Sequence, residues 1–249
     1  MNISTKIVPS PKFSDKALND MFDYRLGRLR KSMLEQNISL SILVNPVSLR
    51  YAIDFDEYQL FQSHIPTCYL FVPAHGPLVM HGATRHTFPN VFEYRRPHFI
   101  TPFDSGFDLS NSVKLLSNDV DNFVREYGHN KNIAIERVSS LISNSLQTLG
   151  YQISDAECLV EKAKVIKCDT EIKCIKHSID VAEYGLKLMQ ENTFAGLTER
   201  QVWSILHQVN IANNGSWIEG HMLSSGPRTN PWLQEASERV IETGDMVSM

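Results

Sequence analysis

Apolar positions recur along the chain with two alternating periods. From Ser14 to Gln36 the residues Leu18, Phe22, Leu26, Leu29 and Met33 follow one another at spacings of four, four, three and four. This is the stripe of an amphipathic helix, and Ser14 is placed to cap its N-terminus. The segment from Ile38 to Val44 alternates and then becomes continuously apolar, as a strand entering a covered sheet does, and Asn45-Pro46 stops it. Thr67 to Val72 predicts a second strand, and Pro73-Ala74-His75-Gly76-Pro77 a turn into the shorter strand Leu78 to His81, so the two form a hairpin. After Asp108, the series Leu109, Val113, Leu116, Val120, Phe123 and Tyr127 predicts a long helix closed by Gly128. Asn132 to Glu136 reads as a short strand and Ser139 to Leu149 as a short helix. Helices alternating with strands to about residue 154 define a self-contained α/β domain.

The pattern then changes. Ile172, Ile175, Ile179, Ala182, Leu186 and Met189 run at three-four spacing through a helix reaching about Asn192. Phe194-Ala195-Gly196-Leu197 breaks it. Thr198-Glu199-Arg200-Gln201 is a capping box opening a helix whose buried face is Val202, Ile205 and Val209, and Asn213-Asn214-Gly215 ends it. A strand near His221 to Ser224, a Gly/Pro loop and the apolar Met246-Val247-Ser248-Met249 follow. An apolar strand edge at a chain end invites aggregation, so the second domain reads as cut short. The expected organisation is an arm over 1–13, an α/β domain over 14–155 and an incomplete α+β domain over 156–249.

Composition narrows the function classes. The 249 residues are 42% hydrophobic and 21% charged, with 12 Gly and 11 Pro, an ordinary globular balance. With 24 Lys and Arg against 28 Asp and Glu, the net charge of −4 supplies no positive field for a phosphate backbone, so nucleic acid is not an expected partner. The N-terminus lacks the apolar core of a signal peptide, and no run approaches the roughly 20 apolar residues that span a bilayer. The chain therefore reads as cytoplasmic, with no membrane partner. Cys68, Cys158, Cys168 and Cys174 are too few and too irregular for a disulfide scaffold, and the nine histidines form no metal motif, so no metal ion is expected in this chain alone.

Two segments together resemble the pita-bread metalloenzyme family, which includes creatinase, prolidase and the Xaa-Pro aminopeptidases. The first is Arg25-Leu26-Gly27-Arg28-Leu29-Arg30 with the following strand, Asn45-Pro46 and Leu49-Arg50-Tyr51, which is similar to the opening of a creatinase-type N-terminal domain. The second runs from Lys167 through Glu171-Ile172, Ala195-Gly196-Leu197-Thr198-Glu199 and Gly244-Asp245-Met246-Val247-Ser248-Met249, in the order that begins the family's catalytic domain. The resemblance implies an intact parent protein with two divalent or trivalent metal ions held by two Asp, a His and two Glu, all beyond Met249. It also implies a homodimer acting on a small-molecule substrate, with the catalytic groups in the part that follows.

The loop Ser224-Ser225-Gly226-Pro227-Arg228-Thr229-Asn230-Pro231-Trp232 departs from the peptidase pattern. Peptidases of the family have a Pro-His pair there; here Trp232 follows Pro231, and an indole cannot relay a proton as imidazole does. The stretch from Glu219 to Trp232 is similar to the branch that cleaves dimethylsulfoniopropionate to dimethyl sulfide and acrylate. Aromatic faces suit a sulfonium cation and an arginine fork suits a carboxylate, which makes Trp232, Trp217, Arg228 and His221 candidate substrate-binding residues. Tyr58, in a polar-aromatic loop with Phe61, is a further candidate if that loop reaches a neighbour's pocket. Core packing for the tryptophans, a solvated salt bridge for Arg228, a structural role for His221 and a surface loop around Tyr58 are the alternatives. So are a Xaa-Pro dipeptidase or aminopeptidase and a non-catalytic peptide-binding member of the fold.

Overall fold

The computed structural model describes residues 4–82, 84, 86–98, 101–216 and 218–249. It divides into two compact units. One spans Phe13–Thr170; the other joins the N-terminal arm up to Lys12 to Glu171–Met249.

The first unit opens with α1 (Asp15–Glu35), where the Ser14 hydroxyl accepts from the Ala17 N–H at 3.2 Å and Phe22, Leu26, Leu29 and Met33 are buried as the stripe requires. Strand β1 (Leu40–Leu43) follows, with all four residues buried. Asn45-Pro46 ends the strand and also begins a helix, α2 (Pro46–Ile53): the Asn45 side chain accepts from the Val47 N–H at 3.0 Å, and Pro46 occupies the first turn, where its missing N–H costs nothing. Next come α3 (Gln59–His64), the antiparallel pair β2 (Tyr69–Pro73) and β3 (Leu78–His81), and β4 (Val91–Arg95), which runs parallel to β3. The remaining elements are α4 (Pro102–Ser105), α5 (Ser110–Tyr127), β5 (Asn132–Ile135), α6 (Ser140–Thr148), β6 (Gln152–Asp155) and α7 (Glu157–Lys164).

The six strands form one mixed sheet in the order β4-β3-β2-β1-β5-β6, with β1 antiparallel to β2 and parallel to β5. Side chains alternate between two apolar clusters. Leu43, Leu70, Val72, Leu78 and Met80 join Leu29, Met33 and Leu49 on one face. Ile42, Tyr69, Phe71 and Val79 join Val120, Phe123 and Leu146 on the other. Covering both faces is what turns the central strands into unbroken apolar runs.

The expected boundary at 155/156 differs from the observed division at 170/171, and α7 is the reason. Its Leu159, Val160 and Ala163 are buried in the cluster that contains Leu29 and Met33, and the Ala163 carbonyl accepts from Arg28 Nε at 2.7 Å and Tyr51 Oη at 3.1 Å. The arm expected over 1–13 joins the second unit through the Lys6 N–H, which donates to Tyr184 Oη at 2.9 Å, and the Val8 N–H, which donates to Asn213 Oδ1 at 2.7 Å.

In the second unit α8 (Asp169–Asn192) and α9 (Glu199–Ala212) approach closely at Gly185, where a Cβ would lie 2.6 Å from Leu206 Cδ1. The capping box on Thr198 and Gln201 is present, and Val202, Ile205 and Val209 are buried. They pack with Met189, Leu197, Leu223, Ala236 and Ile241. Of the predicted α8 stripe only Met189 is buried; Ile172, Ile175, Ile179 and Leu186 are exposed. The strand expected near His221 to Ser224 is confined to β7 (Ser224–Ser225), which pairs antiparallel with β8 (Val247–Ser248).

A fragment over residues 13–170 should unfold cooperatively in urea. One stopping at 155 should lose about 3 kcal/mol or more of stability, the worth of burying the α7 apolar side chains. Equal midpoints for the two fragments would contradict the packing of α7.

Candidate functional site

The loop from β7 to β8 is organised around one carboxylate. Glu199, the first residue of α9, is wholly buried. Its Oε1 accepts from the Ser225 N–H at 2.7 Å and the Ser225 hydroxyl at 2.8 Å. Its Oε2 accepts from the Ser237 N–H at 2.9 Å, the Ser237 hydroxyl at 2.6 Å and Arg228 Nη1. The same segment serves the start of the helix, because the Arg239 and Ser237 carbonyls accept from the Glu199 and Arg200 N–H groups at 3.1 and 3.2 Å. Donors that a helix N-terminus leaves unpaired are thereby satisfied.

A second ion pair lies beside the first. Arg239 Nη1 donates to Asp245 Oδ2 at 2.5 Å and to the Ser225 hydroxyl at 2.7 Å, so Ser225 bridges Glu199 and Arg239. Gly226, at φ 51°, lies so close that a Cβ would collide with the Asp245 carboxylate and with Arg239 Nη2. Only glycine combines that left-handed conformation with that proximity.

The electrostatics follow from these contacts. Burial opposes ionisation of Glu199, but hydrogen bonds from Ser237 and Ser225 outweigh it and hold the carboxyl below its ordinary value. The hydrogen bond from Arg239, with that of the Glu242 N–H, lowers Asp245 in the same sense.

Of the candidate binding residues, Arg228 is committed to Glu199, and its Nη2 donates to the Glu235 carbonyl at 2.9 Å. It holds the loop to the head of α9. Trp232, four residues on, is 72% exposed and presents its indole to solvent. His221 sits against α9, its ring centroid 6.0 Å from that of Trp203 and 5.6 Å from that of His207. Tyr58 belongs to the first unit, at the start of α3, 60% exposed and at φ 44°. Trp217 lies outside the described residues. The sequence reading did not single out Glu199, Ser237, Arg239, Trp203 or His207 as site residues. Glu199 was visible as a member of a capping box and of the Ala195–Glu199 segment, and its partners lie 26 to 38 residues further on.

Among the described residues no three His, Cys, Asp or Glu groups converge as metal ligands; the resemblance assigns the ligands of its metal pair to positions after Met249. Asp56 and Glu57 flank His86, with contacts of 3.4 and 3.2 Å to its two ring nitrogens.

No sequence-family profile matches the chain. The dimethylsulfoniopropionate lyase DddP of Roseovarius nubinhibens is 31% identical over 242 residues, which cover 93% of this chain and 54% of that protein. Its namesake in Roseobacter denitrificans is 29% identical over 236 residues, 90% of this chain and 53% of that protein. The chain thus spans about half the length of the curated relatives it matches. Among solved structures, a Xaa-Pro dipeptidase from Bacillus anthracis superposes with a TM-score of 0.66 at 20% identity, covering 91% of this chain and 59% of that one. An X-Pro aminopeptidase from Thermotoga maritima gives 0.66 at 19%, covering 89% and 59%. The fold is that of these creatinase- and prolidase-type structures, a creatinase-type α/β domain followed by part of a pita-bread domain. Its likeness among curated proteins is to the two dimethylsulfoniopropionate lyases.

Replacing Glu199 by Ala should cost about 3 kcal/mol, because Arg228 loses its carboxylate and the Ser225 and Ser237 donors are left facing a void. A carboxyl with a lowered folded-state pKa stabilises fully above its unfolded value near 4.5, and that stability disappears as pH falls through the folded value. The melting temperature should therefore drop with acidification below about pH 4.5, and less steeply in Glu199→Gln. Parallel pH profiles for the two proteins would argue against an ionised Glu199.

Proposed function

We propose that the chain is part of a metal-dependent carbon–sulfur lyase that converts dimethylsulfoniopropionate to dimethyl sulfide and acrylate. The observation that carries this reading is likeness to two lyases of that name along more than nine-tenths of the chain in one case and 90% in the other. Trp232, in place of the histidine that the resemblance assigns to the peptidases, supports it. The likeness to Xaa-Pro peptidases, at 20% identity or less in the two structures compared, extends to the fold.

The reaction removes a proton alpha to the substrate carboxylate, forms the acrylate double bond and expels dimethyl sulfide with the carbon–sulfur electron pair. The residues of this chain serve binding. Trp232 offers an exposed indole face to the sulfonium, an attraction of about 0.5 to 2 kcal/mol. Arg228, occupied by Glu199, positions the loop that carries Trp232. The base and the metal ligands belong to the remainder of the parent protein, which acts as a cytoplasmic homodimer on this small molecule.

In the intact parent, Trp232→Ala should lower kcat/KM for dimethylsulfoniopropionate by about five- to 150-fold, corresponding to about 1 to 3 kcal/mol of lost cation–π attraction and packing, with metal content unchanged. Gas chromatography of released dimethyl sulfide measures it. Wild-type rates from a folded Trp232→Ala enzyme would remove Trp232 from the pocket. Efficient Xaa-Pro dipeptide cleavage without sulfide release by the unmodified parent would replace the lyase reading by the peptidase one.

A further inference from the structure

Three rings of the second unit gather in one place outside the Glu199 network. Trp203 and His207 lie one helical turn apart on α9 with centroids 6.0 Å apart, and His221, from the segment that leads into β7, packs against both. The indole N–H of Trp203 is buried with no hydrogen-bond partner among the described residues. The two imidazoles are 5.6 Å apart between centroids, their planes inclined at 51°.

That separation has a specific meaning for imidazoles. An ion bound at about 2.0 to 2.1 Å from a ring nitrogen lies about 3.2 Å from the ring centroid, so two rings sharing one ion have centroids about 5.2 Å apart at the tetrahedral angle and about 6.4 Å apart when collinear. The observed 5.6 Å falls in this range. The pair His75 and His129, at 6.5 Å, lies beyond it. Ligation also needs neutral rings. Burial, with the neighbouring His221, holds His207 below its ordinary value.

We propose that His207 and His221 form a two-histidine site for a late first-row divalent cation, Zn²⁺, Ni²⁺ or Cu²⁺, with water completing the coordination. Imidazole donors select these ions over Mg²⁺ and Ca²⁺, which take oxygen ligands. Because the donors come from α9 and from a position three residues before β7, a bound ion ties the approach to the Ser224–Trp232 loop onto the helix. This site neither uses nor requires the lyase reading.

The test is calorimetric titration of the untagged 249-residue chain with NiCl₂ at neutral pH. One Ni²⁺ should bind per chain, with affinity reduced about tenfold or more in both His207→Gln and His221→Gln and unchanged in His129→Gln. His221 is an exposed side chain, so its replacement leaves the fold intact, and far-ultraviolet circular dichroism verifies this for each variant. Cu²⁺ should quench tryptophan fluorescence in the parent chain and not in the double variant, because Trp203 lies beside both ligands. Failure to bind Ni²⁺, equal affinity in His221→Gln, or a loss matched by His129→Gln would each overturn the proposal; a purely packing role for the rings predicts the first or second result.

Discussion

A single buried carboxylate holds the second unit together. Glu199 cannot be removed from water as an ion unless its lone pairs are taken up, and the chain fills them from Ser225, Arg228 and Ser237. Those three residues lie on either side of the turn that carries Trp232, so satisfying the carboxylate fixes the ends of that turn. The β7–β8 pairing, the left-handed Gly226 and the Arg239–Asp245 ion pair are then consequences of where Ser225 must sit. The position of Glu199 at the first residue of α9 adds to this, since negative charge is favoured at a helix N-terminus.

The first unit relies on buried polar groups in a different way. The sheet is covered on both faces, and the end of β1 is where its chain must leave that covered layer. Gln62, wholly buried, donates to the Val44 and Cys68 carbonyls at 2.9 and 2.8 Å, and its own carbonyl accepts from the Thr67 N–H at 2.8 Å. Glu136 accepts from the Val44 and Asn45 N–H groups at 2.8 and 2.7 Å. Two side chains thus replace the ladder where the strand ends, and α2 can begin at once behind the Asn45 cap. Burial raises the Glu136 carboxyl against the opposing effect of these hydrogen bonds, so this carboxylate carries a desolvation cost that Glu199, with five donors, overcomes.

Legibility in the sequence followed element length and the range of the contacts. The helices α1, α5 and α9 and the β2–β3 hairpin were readable because several turns or two alternating strands repeat the same signal. Of the short elements, β1, β5 and α6 were also readable, whereas α2, α3, α4, β4, β6 and α7 were not. The eight residues of α7 show only Leu159, Val160 and Ala163, too few to distinguish a helix that closes the first core from a linker, which displaced the expected boundary to 155/156. Asn45-Pro46 carries two meanings, a strand stop and a helix start, and only the first was drawn. The apolar face of α8 had a clear period, but period fixes which residues share a face and not whether anything covers it. The Glu199 network and the pairing of His207 with His221 join residues 14 to 38 positions apart, and no local pattern encodes such a meeting.

Arg228 shows how the structure redistributes roles within a loop that sequence alone treats as a set. A guanidinium in a Gly/Pro loop next to an exposed tryptophan suggests a paired recognition of carboxylate and cation. Its geometry assigns the fork to Glu199 and to the Glu235 carbonyl, and withdrawing it toward a ligand would leave a wholly buried carboxylate without the cation that is hydrogen-bonded to it, a loss of the kind that costs about 3 to 5 kcal/mol. That exceeds what one new surface contact with a substrate carboxylate returns. The loop is therefore held in place through Arg228, which leaves Trp232 as its exposed aromatic face. In the proposed lyase, a substrate carboxylate is therefore anchored by groups other than Arg228.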